Sequence, residues 1–457
     1  MIHFKKFIAI VFFHSILLSY SQYKEVNIAS FKVNGNDKID DTQNFDTAIE
    51  YVSKNGGTLY IPKGNYYLDN KKRVRKGVHN NSYIFLVNNN FKIKLDKDAV
   101  LYYKNDFKGF RFRTVENPNN KTINKYNVEI DGGVVDCSNN LGLKVKNNPE
   151  VWAFLGETLQ SFKVTNLTVR NLYGTAGIGA GFNDFVEINN NNFQNVTGNP
   201  SDYIDNHGDA IYISNTKSYN VKNNRIVINL NETKRLGRVG ICIEDKVGNG
   251  TISNNFVSGY DRGVHVELIT GTSTIFKNEL VGNSSGIVLW NNNGYKQIID
   301  TNIINNKGLS KSSKPFLYTS APILLLGYDS NLGTIIRNNI ITIDKDFFIP
   351  NELLQVTSSN TEIYNNSFSD PSKTLSLSIA QGKSNKERVR NVSFNDNKVL
   401  AKNINVYDSS SINVSNNQFD ITDAVFSFDN TENIYKNNIF SKTLSSKKVQ
   451  VFGKFKN

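Results

Sequence analysis

Apolar and polar positions alternate in four matching stretches near the middle of this chain. They are Gly-Asp-Ala-Ile-Tyr-Ile at 208–213, Val-Gly-Ile-Cys-Ile-Glu at 239–244, Arg-Gly-Val-His-Val-Glu at 262–267 and Ser-Gly-Ile-Val-Leu-Trp at 285–290. A period of two marks strands rather than helices. The first three are each followed, about ten residues on, by an Asn-rich strand: Val221 to Asn224, Ile252 to Asn255 and Ile275 to Asn278. A unit of roughly 22–31 residues built from short strands cannot bury its own apolar face, so it must stack on its neighbours. The predicted fold is all-β, a parallel β-helix.

Stacking fixes which residues are neighbours. Ile211, Ile241, Val264 and Ile287 align as one aliphatic column, and Ile213, Ile243, Val266 and Leu289 as a second. Side chains alternate faces along a strand, so the intervening positions point outward. One outward column then reads Tyr212, Cys242, His265, Val288, and the next reads Ser214, Glu244, Glu267, Trp290. A slip of one residue would turn both glutamates into the core, so the register is well determined.

Ahead of the coils, Phe45, Ala48, Ile49 and Val52 fall on one helical face. Asp40 or Asp41 is placed to cap that helix, and Asn55-Gly56-Gly57 to end it. Such a helix would cover the open first coil of a solenoid. The pattern Asp-Asp-Thr, amphipathic helix, then Gly57-Thr58-Leu59-Tyr60-Ile61-Pro62-Lys63-Gly64-Asn65-Tyr66 resembles the N-terminal cap of the pectate lyase-like superfamily of right-handed parallel β-helix proteins. That group includes polygalacturonase-type glycoside hydrolases, several polysaccharide lyases and phage tailspike depolymerases. With the repeats, the resemblance covers residues from about 30 to 440.

The expected organisation is an export signal at 1–21 followed by one β-helix domain at 22–457. The cap lies at about 30–68, the best-ordered coils at about 174–292, and further coils reach about 440. The signal is read from Lys5 and Lys6, the apolar run Phe7 to Leu18, and Ser19-Tyr20-Ser21. No other segment is apolar enough for a membrane helix, so a soluble, secreted or periplasmic monomer is expected. Asn-Asn marks at 223–224, 254–255, 338–339, 365–366, 416–417 and 437–438 suggest stacked, mutually hydrogen-bonded asparagines. Insertions are expected at 72–81, 117–124, 198–206, 309–318 and 371–386.

The two cysteines, Cys137 and Cys242, sit in different repeats without metal-ligand spacing, which excludes a disulfide framework and a zinc site. A net charge of +12 points to an anionic partner. The basic residues form no dense block or aromatic–basic stripe, and an exported chain has little access to nucleic acid. An acidic polysaccharide, uronate or sulfated, is therefore the expected substrate, with no nucleic acid partner.

Two carboxylates on adjacent coils, ~4.8 Å apart at the backbone, should raise the pKa of at least one. A protonated carboxyl beside an ionised one is the pairing that cleaves glycosidic bonds. Glu244 and Glu267 are thus the expected acid and base, with His265, Asp245 and Asp209 as further catalytic candidates. Arg262, Lys246, Trp290, His207 and Tyr212 are the expected substrate contacts, and no metal or other cofactor is expected for hydrolysis.

Polygalacturonase-type enzymes carry an Asp-Asp, a Gly-His-Gly and an Arg-Ile-Lys on successive coils. Here Asp209 falls on the first of these, Val239 to Ile243 on the second without its histidine, and His265-Val266-Glu267 on the third. The expected function is a secreted glycoside hydrolase whose acid and base have moved to Glu244 and Glu267. The alternative is a lyase or epimerase acting on a uronate, with Ca²⁺ held by carboxylates, Lys246 as base and Arg262 as neutraliser. Glu244 to Thr251 is loosely similar to the coil carrying the base in the alginate and dermatan lyase family. A non-catalytic carbohydrate-binding β-helix is the third reading.

Overall fold

The computed structural model describes residues 24–69, 84–114, 124–140, 151–198, 208–233, 236–291, 295–316, 319–327, 333–379, 389–428, 433–441 and 449–453. The expected export signal, His207 and most of the expected insertions lie outside these residues. Among the described residues no helix is long and apolar enough to cross a membrane.

The chain winds as a right-handed parallel β-helix, visiting three parallel sheets in turn. A representative coil runs through Phe185–Asn189 in the first sheet, Asn192–Gln194 in the second and Asp209–Ser214 in the third. The next repeats it with Ser218–Lys222, Arg225–Val227 and Gly237–Glu244, each strand in parallel register with its predecessor. Late in the chain Asn403–Ser415 bends from the third sheet into the first and belongs to both.

Six consecutive strands of the third sheet matter for function. They are β1 (Trp152–Glu157), β2 (Ala176–Gly181), β3 (Asp209–Ser214), β4 (Gly237–Glu244), β5 (Tyr260–Glu267) and β6 (Ser285–Trp290). Ile178, Ile211, Ile241, Val264 and Ile287 pair one above another and are fully buried. The register is the one read from the alternating pattern. The glycine preceding each of these β4, β5 and β6 residues has a packing cause. A Cβ at Gly240 would lie 2.4 Å from Val257 Cγ1, and one at Gly286 would lie 2.5 Å from Ile304 Cγ2, so neither position has room for a side chain.

The asparagine pairs divide their work. The first member takes a left-handed backbone, as at Asn190, Asn223, Asn254, Asn338, Asn365, Asn416 and Asn437, a conformation Asn tolerates better than most residues. The second, joined in other coils by Asn278, Asn302 and Asn397, forms a ladder through Asn191, Asn224, Asn255, Asn278, Asn302, Asn339, Asn366, Asn397 and Asn417, all buried, to Asn438. Each Nδ2 donates to the Oδ1 of the next coil at 2.9–3.2 Å. The same Oδ1 atoms also accept backbone N–H groups of the coil before. The pairs therefore sit at the corner between the first and second sheets, just past the strands in which the sequence pattern had put them.

The cap is helix α1, Thr42–Asn55, with Phe45, Ala48, Ile49 and Val52 buried against the first coils. Asp40 Oδ1 accepts from the Thr42 amide at 3.0 Å and its hydroxyl at 2.6 Å, while Gly56, at φ 76°, closes the C-terminus by donating to Val52 O. One expected insertion is corrected in part. Ser376–Ile379 is a strand paired with Leu354–Val356, because Leu377 and Ile379 continue the apolar column.

Candidate functional site

Each third-sheet strand in this region ends in a left-handed residue: Thr158, Phe182, Asn215, Asp245, Leu268 and Asn291, after β1 to β6 respectively. This turn column explains Asp245. It occupies the position that Asn215 and Asn291 fill in neighbouring coils, and its carbonyl accepts the Asn215 amide at 2.7 Å. Lys246 follows it at φ 60°, and both side chains are exposed at the rim of the sheet.

Just inside the turn column, Glu157, Gly181, Ser214, Glu244, Glu267 and Trp290 pair in sequence across the sheet. The parallel row reads Leu155, Gly179, Tyr212, Cys242, His265, Val288. Both rows face away from the coil interior as expected. The outer face is nevertheless not open to water throughout. Cys242, His265 and Val288 are fully buried, with Val288 packed against Ala321 and Leu324. Glu244 is 7 % exposed, whereas Glu267 and Trp290 remain half-buried.

Glu244, His265 and Glu267 converge, with one oxygen or nitrogen of each within 4.8 Å of the others. His265 Nε2 lies 2.9 Å from Glu267 Oε2, and His265 Nδ1 lies 3.5 Å from Arg262 Nη1. A guanidinium can only donate, so Nδ1 is the acceptor and the ring proton sits on Nε2, pointing at the carboxylate. Burial, then the charges of Arg262 and Arg238, holds the His265 pKa well below the usual imidazole range. The ring is neutral.

The Glu244 carboxyl is raised above its ordinary value. Burial is the main cause and the charge of Asp209 adds to it, while Arg238 and the Tyr212 and Cys242 groups pull the other way. The upward shift of Glu244 thus comes first from desolvation, not from the mutual repulsion expected between stacked glutamates. Burial also pushes the Cys242 thiol well up, which leaves it protonated and unsuited to nucleophilic attack.

Asp209 is fully buried in a two-pronged ion pair with Arg238, at 2.9 Å to Nε and 2.5 Å to Nη2. Arg262, expected as a substrate contact, is 2 % exposed and faces Asp261 and His265. Arg238 and Trp152 escaped the sequence reading, since neither stands in the aligned repeat positions. Trp152 could have been suspected as one of only two tryptophans.

The Trp152 ring lies over Gly179, where a Cβ would come within 2.2 Å of it, and sits 6.2 Å from the Tyr212 ring. Beside it, Gly181 and Ser214 leave the row next to Glu244 without bulky side chains, and a Cβ at Gly181 would meet nothing nearer than 3.5 Å. At the other side, Trp290 meets His265 edge-on at 6.4 Å. Across the coils this outer face thus runs from Trp152 and Tyr212 past the two carboxylates to Trp290.

Glu244, His265 and Glu267 are also the described residues best placed to hold a cation. Arg238 and Arg262 lie beside them, and the His265 Nε2 proton is directed at Glu267.

No family model matches the chain. Among curated proteins, an iota-carrageenase of Zobellia galactanivorans is 27% identical over 149 residues, which is 32% of this chain and 26% of that protein. The chain thus matches about a quarter of that relative's length. Among solved structures, a mutant tailspike protein of E. coli bacteriophage HK620 in complex with a hexasaccharide superposes with a TM-score of 0.58 at 15% identity, covering 93% of this chain and 80% of that one. The same tailspike with a pentasaccharide gives a TM-score of 0.57 at 15% identity, covering 91% and 78%. The structural likenesses bear out the parallel β-helix fold.

Proposed function

We propose that this protein cleaves the glycosidic bonds of an anionic polysaccharide by hydrolysis, with Glu244 as acid and Glu267 as its ionised partner. The observation that carries the reading is the convergence of a buried Glu244, its pKa raised by burial, with a Glu267 that accepts a hydrogen bond from His265 Nε2, a carboxylate oxygen of each lying within 4.8 Å of the other. In this scheme the Glu244 carboxyl protonates the departing glycosidic oxygen. Glu267 stabilises the developing oxocarbenium ion and either attacks the anomeric carbon or takes a proton from water. Direct attack needs no side-chain movement. Water activation requires the two side chains to part, since such pairs stand ~6.5–9.5 Å apart.

A β-helix likeness to a saccharide-bound tailspike and the partial match to a carrageenase support a polysaccharide as the ligand. The charge of +12 supports an anionic one. Hydrolysis is favoured over elimination because Arg262, which would neutralise a uronate carboxylate in a lyase, is buried against Asp261 and His265.

The test is to incubate the protein with a panel of anionic polysaccharides that includes iota-carrageenan, following reducing ends and ultraviolet absorbance together. New reducing ends without absorbance are expected, reduced about 10²–10⁴-fold in Glu244→Gln and in Glu267→Gln. Absorbance rising with the reducing ends would establish a lyase, and full activity in both variants would refute the site.

A further inference from the structure

Three buried groups on β5 lead away from Glu267 in a line. Asp261 Oδ2 lies 3.5 Å from Arg262 Nε, Arg262 Nη1 lies 3.5 Å from His265 Nδ1, and His265 Nε2 lies 2.9 Å from Glu267 Oε2. Asp261 is itself held by the Ser284 hydroxyl at 2.7 Å and by the backbone N–H of Phe316 at 2.8 Å. Asp261 and His265 are fully buried and Arg262 nearly so. None of the three is placed to touch a polysaccharide.

We propose, on the premise that Glu244 and Glu267 are the reacting pair, that Asp261, Arg262 and His265 form a positioning relay that fixes the orientation of Glu267 and keeps it ionised. Donor chemistry dictates the links at His265, while Asp261 Oδ2 and Arg262 Nε meet as an ion pair at 3.5 Å without a hydrogen bond between those atoms. Arg262 has no acceptor, so it forces Nδ1 of His265 to accept. The ring must then carry its proton on Nε2 and donate it to Glu267, and a hydrogen bond to a carboxylate favours its charged form. Asp261 anchors the guanidinium, and the Phe316 amide ties the anchor to the segment at 309–316 that lies over the sheet. Trp290, edge-on to the imidazole, limits its rotation.

The relay also explains why Glu244 and Glu267 take different roles from equivalent places on adjacent coils. The groups facing His265 are Asp261, Arg262 and Glu267 on its own strand and Arg238, Cys242 and Glu244 on β4, while β6 offers only Val288 and Trp290. On β4 the position equivalent to His265 is Cys242, a neutral thiol. Glu244 is instead met by the Tyr212 and Cys242 side chains, whereas Glu267 has an imidazole donor that favours its charged form. His265 is in this scheme a positioning residue and not a general base, since both ring nitrogens are engaged.

The test is ¹⁵N NMR of the imidazoles across about pH 5 to 8, with the His265 signal assigned by loss in His265→Gln. The expected signal is an Nε2–H tautomer that does not titrate over that range. In the double variant Asp261→Asn with Arg262→Met, which leaves no lone charge buried, His265 is expected to titrate or to switch to the Nδ1–H form. The acid limb of kcat/KM should then move to higher pH and kcat should fall about 10- to 100-fold. Arg262→Lys, which keeps the charge, should retain the tautomer and serves if the double variant does not fold. An Nδ1–H or titrating His265 in the unaltered protein would overturn the relay, as would an unchanged imidazole in the folded double variant. The imidazole signal needs no substrate. Inactivity on every polysaccharide with the tautomer intact counts against the reacting pair, whereas a wrong tautomer in an active enzyme counts against the relay alone.

Discussion

Glu244 and His265 are driven in opposite directions by the same cause. Burial disfavours charge on both, so the carboxyl keeps its proton to higher pH and the imidazole loses its proton at lower pH. The consequences for stability differ in sign. The folded form holds a proton on Glu244 that the unfolded chain releases above its ordinary value of 4.5, so that contribution is present at low pH and fades as pH rises through the raised pKa. The neutral His265 contributes above its ordinary value of 6.5, and that contribution is lost as pH falls below it. For catalysis, the alkaline limb of kcat/KM should report Glu244, above the range of an ordinary glutamate. Asp209 raises that limb and Arg238 lowers it. Asp209→Asn is therefore expected to shift the alkaline limb to lower pH in a pH–rate profile. It also leaves Arg238 buried without its partner, at a cost of about 3–5 kcal/mol readable as a lower melting temperature.

At the level of the element, the coils are held in register by the asparagine ladder at one corner and by the aliphatic columns within. Asn278 shows what one rung contributes. Its Nδ2 donates to Ile252 O and to Asn302 Oδ1, and its Oδ1 accepts from the Asn255 amide and side chain. Asn278→Ala would strand several of these groups in a dry interior, each costing about 1–3 kcal/mol. A clear fall in the denaturation midpoint is expected. Asn254→Ala, which alters only a left-handed turn position on the exposed side, should cost about 1–2 kcal/mol. Equal effects in the two variants, measured by chemical unfolding, would show that the ladder carries no special weight.

For the whole molecule, the repeat spacing of the coils sets the length of this outer face. Four steps of ~4.8 Å separate β2, over which the Trp152 ring lies, from β6, so the Trp152 ring and the Trp290 strand stand ~19 Å apart across the coils, with the carboxylates nearer the Trp290 end. A path of that length holds several sugar units in line. Trp152→Ala is accordingly expected to raise KM about tenfold or more for long oligosaccharides, with little effect on kcat, and to leave fragments too short to reach that ring unaffected. Equal loss for every chain length in a size series would remove Trp152 from the binding path.

Period-two alternation determined the solenoid, the register of β3 to β6 and the adjacency of Glu244, His265 and Glu267, because in a parallel stack equivalent positions must lie side by side. The Asn-Asn pairs likewise announced a ladder, although only the corner geometry assigned one member to the turn and the other to the interior. What lies over a sheet is not written in the sheet's own pattern. Burial of the outward face depends in part on a segment outside the strands, Phe316, whose amide reaches Asp261 on β5, and in part on Leu324, which stands beside Val288 on the next strand of the same sheet. That cover moved Arg262 from an expected substrate contact to a buried partner of His265. Burial, rather than like-charge repulsion from Glu267, is likewise the first cause that raises the Glu244 pKa. Trp152 and Arg238 reached the site through packing across coils, for which a single sequence carries no period to read.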